Sequence, residues 1–199
     1  MGGRALAVRA DVATEHEVDG LFRVAEREFG RLWGLVNCAG FMGAPTRVGD
    51  CSVELWRRMF AVNVDGTFLP TRAAIEHMST ARGGGGGAIV NVSSMAAVLG
   101  GGGEFVHYAA SKGAVESFTI GLSREVAAEG IRVNAVRPGL IETELHSRTG
   151  DPDRLHRLAG TVPAGRAGQP SEVAEAIVWL LSDAASYVTG AVLAVSGGR

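Results

Sequence analysis

The sequence predicts a doubly wound α/β fold, in which helices cover both faces of a parallel β-sheet. Short apolar runs alternate along the chain with segments of helical periodicity, and this alternation is typical of parallel sheets. The apolar runs are nearly continuous, as expected for strands that are buried on both faces. With 199 residues, of which 46% are hydrophobic, the chain can bury a core as one domain over residues 1–199.

The first half of the chain contains two predicted strands and two predicted helices. Residues 5–8 (Ala-Leu-Ala-Val) form a short run that favours a strand, and residues 15–29 then place apolar side chains three or four positions apart, as in a helix. Residues 32–37 form the next apolar run and predict the second strand. Apolar residues at helical spacing recur over residues 52–78, which predicts one long helix.

The second half of the chain continues the alternation. Residues 88–93 predict a third strand, and residues 105–129 predict a helix that Gly130 ends, because glycine readily adopts the left-handed conformation of a helix C-cap. The fourth predicted strand, 131–137, stops at a Pro-Gly pair. The last predicted elements are a helix over residues 171–182 and a strand over residues 191–196.

Composition excludes several classes of function. The 19 Lys and Arg residues and 21 Asp and Glu residues give a net charge of −2, which provides no basic surface for nucleic acid or an anionic membrane. The longest uncharged stretch, 83–103, has glycine runs at both ends and polar residues in its middle, so it predicts a strand with loops rather than a membrane span. Cys38 and Cys51 lack CxxC spacing, and the histidines lack the spacing of metal ligands. These observations predict a cytoplasmic protein without a metal site.

One tyrosine and one lysine are candidate catalytic residues. The chain has two tyrosines and a single lysine among its 19 basic residues, and Lys112 lies four positions after Tyr108. Residues four apart share one face of a helix, so the ammonium group of Lys112 can lie beside the phenol and lower its pKa from about 10. Such a tyrosine can exchange a proton near neutral pH. The pair by itself is equally compatible with a surface helix that carries an incidental lysine.

Two further polar residues support a shared site. Ser94 lies at the end of the third predicted strand, directly after residue 93, and the glycine run 100–103 forms a flexible return towards Tyr108. Sites in parallel sheets lie at the carboxyl ends of strands, although serine at such a position is also common as a turn or cap residue. Asn63 lies in the long predicted helix, where asparagine is unfavourable. Its alternative interpretation is a solvated helix position.

Taken in order, these residues resemble the motifs of the short-chain dehydrogenase/reductase family. Residues 37–40 (Asn-Cys-Ala-Gly) resemble the family's Asn-Asn-Ala-Gly turn, and its catalytic tetrad is matched by Asn63, Ser94, Tyr108 and Lys112. Residues 138–143 (Pro-Gly-Leu-Ile-Glu-Thr) resemble its proline-glycine segment. Its carboxyl-terminal turn and last strand are matched by residues 187–190 (Tyr-Val-Thr-Gly) and 195–198 (Val-Ser-Gly-Gly). Cys38 and Ser196 replace the usual Asn and Asp. The resemblance runs from about residue 5 to the end, and it implies a Rossmann-like fold and hydride transfer between NAD(P)(H) and an alcohol or carbonyl substrate.

The resemblance also implies a role for each matched residue. Tyr108 would donate or accept the substrate proton, Ser94 would hydrogen-bond the substrate oxygen, and Asn63 would hold a water molecule in a proton relay. Lys112 would lower the pKa of Tyr108 and bind the ribose hydroxyls of the nicotinamide nucleotide. The other implied cofactor-binding residues are Asp11 and Val12 at the adenine, Asn37, Ala39 and Gly40 at the adenosine ribose, and Pro138, Gly139, Ile141 and Thr143 at the nicotinamide.

The family's first strand-helix-strand-helix segment, with its Gly-rich pyrophosphate turn, has no counterpart in this sequence, so we expect an N-terminally truncated form of the fold. In the family, the missing strands lie between the strands that match residues 5–8 and 32–37. We therefore expect a four-stranded sheet in which residues 5–8 are displaced or paired elsewhere. Because the residue that selects NAD or NADP lies in the missing segment, either cofactor is compatible with the sequence.

Two functional hypotheses follow. The first is an oxidoreductase that acts on a small molecule, and the alternative is a catalytically silent remnant that acts by self-association or partner binding. In either case the resemblance implies a homo-oligomer, a dimer or a tetramer. A partly apolar substrate pocket is predicted from the residues that flank the site, Met95, Leu99, His107, Leu140 and His146, and residues 144–163 are predicted to form a mobile lid.

Overall fold

The sheet is the centre of the structure, a computed structural model that describes residues 3–147, 151 and 153–199. It has four strands in the order β1-β2-β3-β4, and all three pairings are parallel. The strands are β1 (Gly34–Asn37), β2 (Gly87–Val92), β3 (Ile131–Pro138) and β4 (Val192–Val195). The parallel α/β fold predicted from the sequence is confirmed.

Eight α-helices connect and cover the strands. They are α1 (Glu15–Phe29), α2 (Val53–Phe60), α3 (Gly66–Met78), α4 (Ala96–Leu99), α5 (Val106–Glu125), α6 (Glu144–Ser147), α7 (Arg154–Ala159) and α8 (Pro170–Leu181) in the described part of the chain. Helices α1, α5 and α8 lie where the sequence predicts them. The predicted helix over residues 52–78 is divided into α2 and α3 by a π-helical turn, Ala61–Asp65. None of the described helices is both long and apolar enough to cross a membrane.

Neighbouring residues of β2 point to opposite faces of the sheet and into separate apolar layers. Ile89 packs against α1, α3 and α5 through a cluster that includes Val18, Phe22, Ala74, Met78 and Leu122. Val90 packs on the other face against Val173 and Leu180 of α8. Both β2 side chains are fully buried, and burial of an aliphatic side chain contributes about 1.5–3 kcal/mol. Two covered faces explain why the strand sequences are almost continuously apolar.

A buried chain of polar side chains crosses the first of these layers. The Asn37 side-chain amide donates to Asn91 Oδ1 and to Thr71 Oγ1, each at 2.9 Å. The Asn91 amide in turn donates to Thr119 Oγ1 at 2.9 Å. This chain joins β1 and β2 to α3 and α5, and buried polar groups that are paired in this way favour one arrangement of the elements over others.

The predicted strand at residues 5–8 is not formed, and this part of the prediction is wrong. The segment is extended but has no strand partner among the described residues, and Leu6 is 50% exposed. Arg4 anchors it instead, because its guanidinium group donates to the Glu28 backbone oxygen at 3.0 Å and to the Glu28 carboxylate at 2.8 Å. The expected four-stranded sheet, with residues 5–8 outside it, is confirmed.

Two glycine substitutions should change stability in opposite directions. Gly86 has a φ of 79°, and an added Cβ would lie 2.5 Å from the Gly130 carbonyl oxygen, so Gly86→Ala should lower the free energy of unfolding by about 2 kcal/mol or more. Gly20 lies in α1, where an added Cβ would contact only the end of Arg23 at 3.9 Å. Gly20→Ala should therefore raise the free energy of unfolding by about 0.5–1 kcal/mol. Urea denaturation measures both, and a stable Gly86→Ala variant would contradict the described packing.

Candidate active site at the carboxyl edge of the sheet

Ser94 lies at the carboxyl edge of the sheet, directly beyond β2. The chain stays paired with β3 on both sides of it, because Ser93 N donates to Val136 O at 2.8 Å and Met95 N donates to Pro138 O at 2.9 Å. The Ser94 hydroxyl accepts from Ala96 N at 3.1 Å. These contacts fix the serine at the edge where parallel sheets carry their sites.

A tight turn brings α5 back over this edge. Gly101 has a φ of 60°, and the Phe105 backbone N–H donates to its carbonyl oxygen at 2.7 Å. A Cβ on Gly101 would lie 2.7 Å from the Phe105 carbonyl oxygen, so the turn requires glycine. The predicted return from β2 to the helix therefore consists of a closely packed turn.

Tyr108 and Lys112 lie on the inward face of α5, one helical turn apart. Their exposed fractions are 6% and 4%. The Lys112 ammonium group donates to the Val92 carbonyl oxygen at 2.7 Å and lies 5.9 Å from the centroid of the Tyr108 ring. The spacing of four residues thus places both groups at the end of β2.

Burial controls the protonation of this pair. Desolvation lowers the pKa of Lys112 to about 8, and the nearby Cys38 partly offsets this effect. Burial raises the pKa of Tyr108 above its ordinary value, while a hydrogen bond with Ser94 acts in the opposite direction. The sequence predicts a lowered pKa for Tyr108, and the structure differs because desolvation of the phenol is the largest effect.

Asn63 is positioned by the π-helical turn between α2 and α3. Its side-chain Oδ1 accepts from Phe41 N at 2.7 Å, and its amide donates to Phe41 O at 2.8 Å and to Ser111 Oγ at 2.9 Å. The side chain is fully buried. Asn63 therefore joins the loop after β1 to the first half of α5, the part that carries Tyr108. π-Helical turns are rare and often lie at functional sites.

A buried ion pair joins the other segments of the site. Arg137, near the end of β3, binds both oxygens of the Glu116 carboxylate, with distances of 2.8 and 2.6 Å. The Ser93 hydroxyl donates to the same carboxylate at 2.7 Å. Glu116 lies four residues after Lys112 on α5, so this cluster fixes α5 against the ends of β2 and β3.

Two cavities meet at Ser94 and Tyr108. The first has a volume of about 420 Å³, and the second has a volume of about 270 Å³. Both are lined by Met42, Ser94, Tyr108 and Gly139. The phenol and the serine hydroxyl thus stand between two adjoining compartments. Two ligands could meet at this boundary.

The predicted site residues divide into those that line the first cavity and those that do not. The first cavity is lined by Gly40, Ser94, Tyr108, Lys112, Pro138, Gly139, Ile141 and Thr143. Neither cavity is lined by Asp11, Val12, Asn37, Ala39 or Asn63. Asn37 and Asn63 are instead held in the hydrogen bonds described above. Val12 packs near Gly66, where an added Cβ would lie 2.7 Å from Val12 Cγ2.

The predicted substrate pocket is only partly assembled as expected. Met95, Leu99 and Leu140 line the second cavity. His107 is buried beside the Phe105 ring, lines neither cavity, and has its pKa lowered by burial. The side chain of His146 and residues 148–150 and 152 of the predicted lid lie outside the described residues.

Several residues that line the cavities were not predicted from the sequence. In the first cavity, α8 contributes an apolar wall of Pro170, Val173, Ala174 and Ile177. In the second cavity, Glu104, Arg154, Arg157 and Arg199 contribute charged groups. The spacing of Val173 and Ile177 in α8 was an available signal, because positions i and i+4 share a helix face. Nothing in the local sequence indicates that the arginines of a distant segment line the same cavity as Tyr108.

A larger cavity, of about 1000 Å³, opens at the amino ends of β1, β2 and β3. It is lined by Trp33, Gly87, Ile131 and other residues that precede or begin the strands, and it contains none of Asn63, Ser94, Tyr108 and Lys112. The smaller cavities hold the candidate active site, because the groups that can carry out proton transfer converge there.

The fold and site together define a class of protein. A tyrosine, a lysine and a serine that converge at the carboxyl edge of a doubly wound parallel sheet are the groups of an α/β oxidoreductase. Comparison with known proteins gives the family. A family model described as enoyl-(acyl carrier protein) reductase matches residues 1–199. The chain belongs to this family and is a short-chain dehydrogenase/reductase.

Relatives of this chain are named as oxidoreductases, dehydrogenases and reductases. It is 49% identical to the uncharacterized oxidoreductase YgfF of Escherichia coli K12 over 100% of this chain and 80% of that protein. It is 40% identical to glucose 1-dehydrogenase 2 of Bacillus subtilis 168 over 99% of this chain and 75% of that protein. A solved 3-ketoacyl-(acyl-carrier-protein) reductase of Brucella melitensis, complexed with NADH, has a TM-score of 0.89 and 36% identity over 98% of this chain and 78% of that one. The hypothesis of an oxidoreductase is confirmed, and these comparisons give no support to a silent remnant.

The lowered pKa of Lys112 predicts how stability depends on pH. Between about pH 8 and 10.5, the lysine of the unfolded chain is protonated, whereas that of the folded chain is not. Raising the pH through this window removes the cost of burying a charge, so the free energy of unfolding should rise by about 3 kcal/mol. Lys112→Met should lack this rise. Urea denaturation of both proteins at several pH values measures the difference, and parallel pH profiles would show that Lys112 is not desolvated.

Proposed function

We propose that this chain, as one domain over residues 1–199, transfers hydride between a nicotinamide cofactor, NAD or NADP, and the alcohol or carbonyl carbon of a small molecule, with Tyr108 as the general acid and base. The position of Tyr108 and Ser94 on the shared wall of two cavities carries this proposal. A cofactor in the first cavity and a substrate in the second would both contact these hydroxyls. The NADH bound by the Brucella melitensis relative supports the choice of cofactor.

The first cavity fits the nicotinamide and its ribose. Lys112 has three ammonium donors, of which one binds the Val92 oxygen, so two remain for ribose hydroxyls. Gly40 leaves space beside them, because a Cβ there would lie 3.6 Å from Lys112 Nζ. Pro138, Gly139, Ile141 and Thr143 would line the ring and its carboxamide. The bound nicotinamide supplies or accepts the hydride.

Proton transfer belongs to the protein's own residues. In the reducing direction, the Tyr108 hydroxyl gives its proton to the substrate oxygen, and in the oxidising direction the phenolate takes the proton back. Ser94 Oγ hydrogen-bonds the same oxygen and holds it at Tyr108. Lys112, when protonated, stabilises the phenolate, since the ammonium group lies on the same face of α5.

Asn63 supports this chemistry by fixing the positions of the segments around the site. Its hydrogen bonds to Phe41 and Ser111 fix the loop that carries Gly40 against α5. We assign it the task of holding a water molecule that connects Lys112 with solvent. The predicted contacts of Asp11 and Val12 with the adenine, and of Asn37 and Ala39 with its ribose, remain part of the proposal.

We further propose a cytoplasmic homo-oligomer. Apolar side chains are exposed on α3 and α5, where Phe68 is 43% and Ile120 is 38% exposed, and on α8, where Val178 is 60% exposed. Exposed apolar surface on covering helices favours association. Cys38 and Cys51 are both free thiols in the structure, which is compatible with a reducing compartment.

Removal of the phenol hydroxyl tests the catalytic assignment. Tyr108→Phe should lower the rate of NAD(P)-linked oxidation of small alcohols by at least about 100-fold, because general acid–base catalysis contributes about 10²–10⁴-fold. The assay follows NAD(P)H absorbance with a panel of secondary alcohols. Tyr187→Phe is the matched control, since Tyr187 is fully exposed. Equal rates for wild type and Tyr108→Phe would refute the role of Tyr108.

Cofactor binding can be tested separately from turnover. Fluorescence titration with NADH and NADPH should show saturable binding to the wild type, and Lys112→Met should weaken it about tenfold through loss of charge-assisted hydrogen bonds. Tyr108→Phe should bind nearly as well as the wild type. A folded wild-type protein that binds neither nucleotide would be evidence against the proposed function.

A further inference from the structure

The second cavity contains a group of charged side chains that the proposed hydride transfer does not use. Besides Tyr108 and Ser94, the cavity is lined by Glu104, Arg154, Arg157 and Arg199. Much of the remaining lining, such as Met95, Leu99 and Leu140, is apolar. A substrate that fills this cavity and has its reacting oxygen at the two hydroxyls therefore shares the cavity with the guanidinium groups.

Arg154 is less exposed than the neighbouring Glu104 and Arg157 of the same cavity. Its side chain is 14% exposed, and its guanidinium lies 4.8 Å from the centroid of the Phe105 ring. One terminal nitrogen donates to Glu104 Oε2 at 2.7 Å. The Nε atom is buried and has no hydrogen-bond partner among the residues that the structure describes. A buried donor without an acceptor is destabilising, so the present contacts leave Arg154 incompletely satisfied.

The partner of Arg154 is easily exchanged. Glu104 is 47% exposed on its side chain, and its backbone is held independently, because its carbonyl oxygen accepts from Thr46 N at 2.7 Å. Its carboxylate can turn into water at little cost, whereas the Arg154 cation needs an anion in its place. Arg157 already has its own partner, since it forms an ion pair with Asp151.

We propose that the substrate of this enzyme carries a carboxylate, which displaces Glu104 and binds Arg154. A carboxylate can accept two parallel hydrogen bonds from one guanidinium group, and it would take the place of the Glu104 carboxylate at Arg154. A volume of about 270 Å³ holds about nine water-sized groups, so the substrate is a short hydroxy or oxo acid. The identification of its hydroxyl or carbonyl end rests on the proposed function, but the affinity of Arg154 for a carboxylate does not.

Isosteric ligands provide the test. Butanoate and butyramide have the same shape and differ in charge, and their binding to the full chain with saturating NADH is measured by isothermal titration calorimetry at pH 7. We expect butanoate to bind at least tenfold more tightly than butyramide. Arg154→Leu should abolish this preference, and Arg154→Lys should retain part of it. Glu104→Gln should increase the affinity for butanoate severalfold, because the competing carboxylate is removed.

The controls separate this inference from the proposed function. Arg82→Leu removes an exposed arginine that lines neither cavity, and it should leave the preference unchanged. If NADH binds, three results would each overturn the carboxylate assignment while leaving the proposed function intact. These results are no measurable affinity for butanoate, an affinity no higher than that for butyramide, and an advantage over butyramide that is unchanged in Arg154→Leu. If NADH does not bind, the titration is repeated without it, and a preference lost in Arg154→Leu then supports the assignment while the proposed function fails.

Discussion

The bidentate ion pair between Glu116 and Arg137 holds together the segments on which the rest of the site depends. Glu116 lies on the same helix as Tyr108 and Lys112, Arg137 precedes the Pro-Gly pair at the end of β3, and Ser93, which binds the same carboxylate, precedes Ser94. The side chains of Glu116 and Arg137 are only 11% and 20% exposed. Loss of one partner of such a pair leaves an uncompensated buried charge. The distance between the helix and both strand ends is therefore fixed by strong contacts beside the reacting groups.

The electrostatics of the site follow from the same close packing. Helix α5 lies so near the end of β2 that Lys112 loses most of its hydration and takes the Val92 carbonyl oxygen as a partner. Desolvation destabilises the phenolate of Tyr108 as well. A site of this kind holds the proton on the phenol until a charge or hydrogen-bond acceptor arrives. Arg154 shows the same principle in the second cavity, where a nearly buried cation depends on a half-exposed carboxylate.

Local patterns in the sequence predict most of the fold. Helix α5, strand β3 and the turn at Gly130 lie at their expected positions, because apolar periodicity and glycine conformation are properties of neighbouring residues. The segment 5–8 has the composition of a strand, but a strand forms only beside a partner, and composition does not reveal whether one is present. The π-helical turn at Asn63 was likewise missed, although asparagine in an apolar helical turn was a visible signal.

The candidate site was predictable to the extent that its residues lie in recognisable motifs. Ser94, Tyr108, Lys112 and Gly139 converge as the motifs indicate. The spacing of Val173 and Ile177 indicates that they share a face of α8, but it does not show which cavity that face lines. The Glu116–Arg137 pair and the arginines of the second cavity depend on tertiary contacts between distant segments, about which spacing along the chain contains no information.

The unpaired edge of β1 has a consequence for the kinetics of the chain in solution. Strand β1 pairs only with β2 in the described structure, and Trp33 and Val36 beside that edge are 63% and 38% exposed. An open edge offers backbone donors and acceptors to any extended segment that reaches it. Folding of one chain is first order, whereas edge-to-edge association is second order in protein concentration. The fraction of chains that fold without edge-to-edge association should therefore fall as the protein concentration rises, and dilution should increase that fraction.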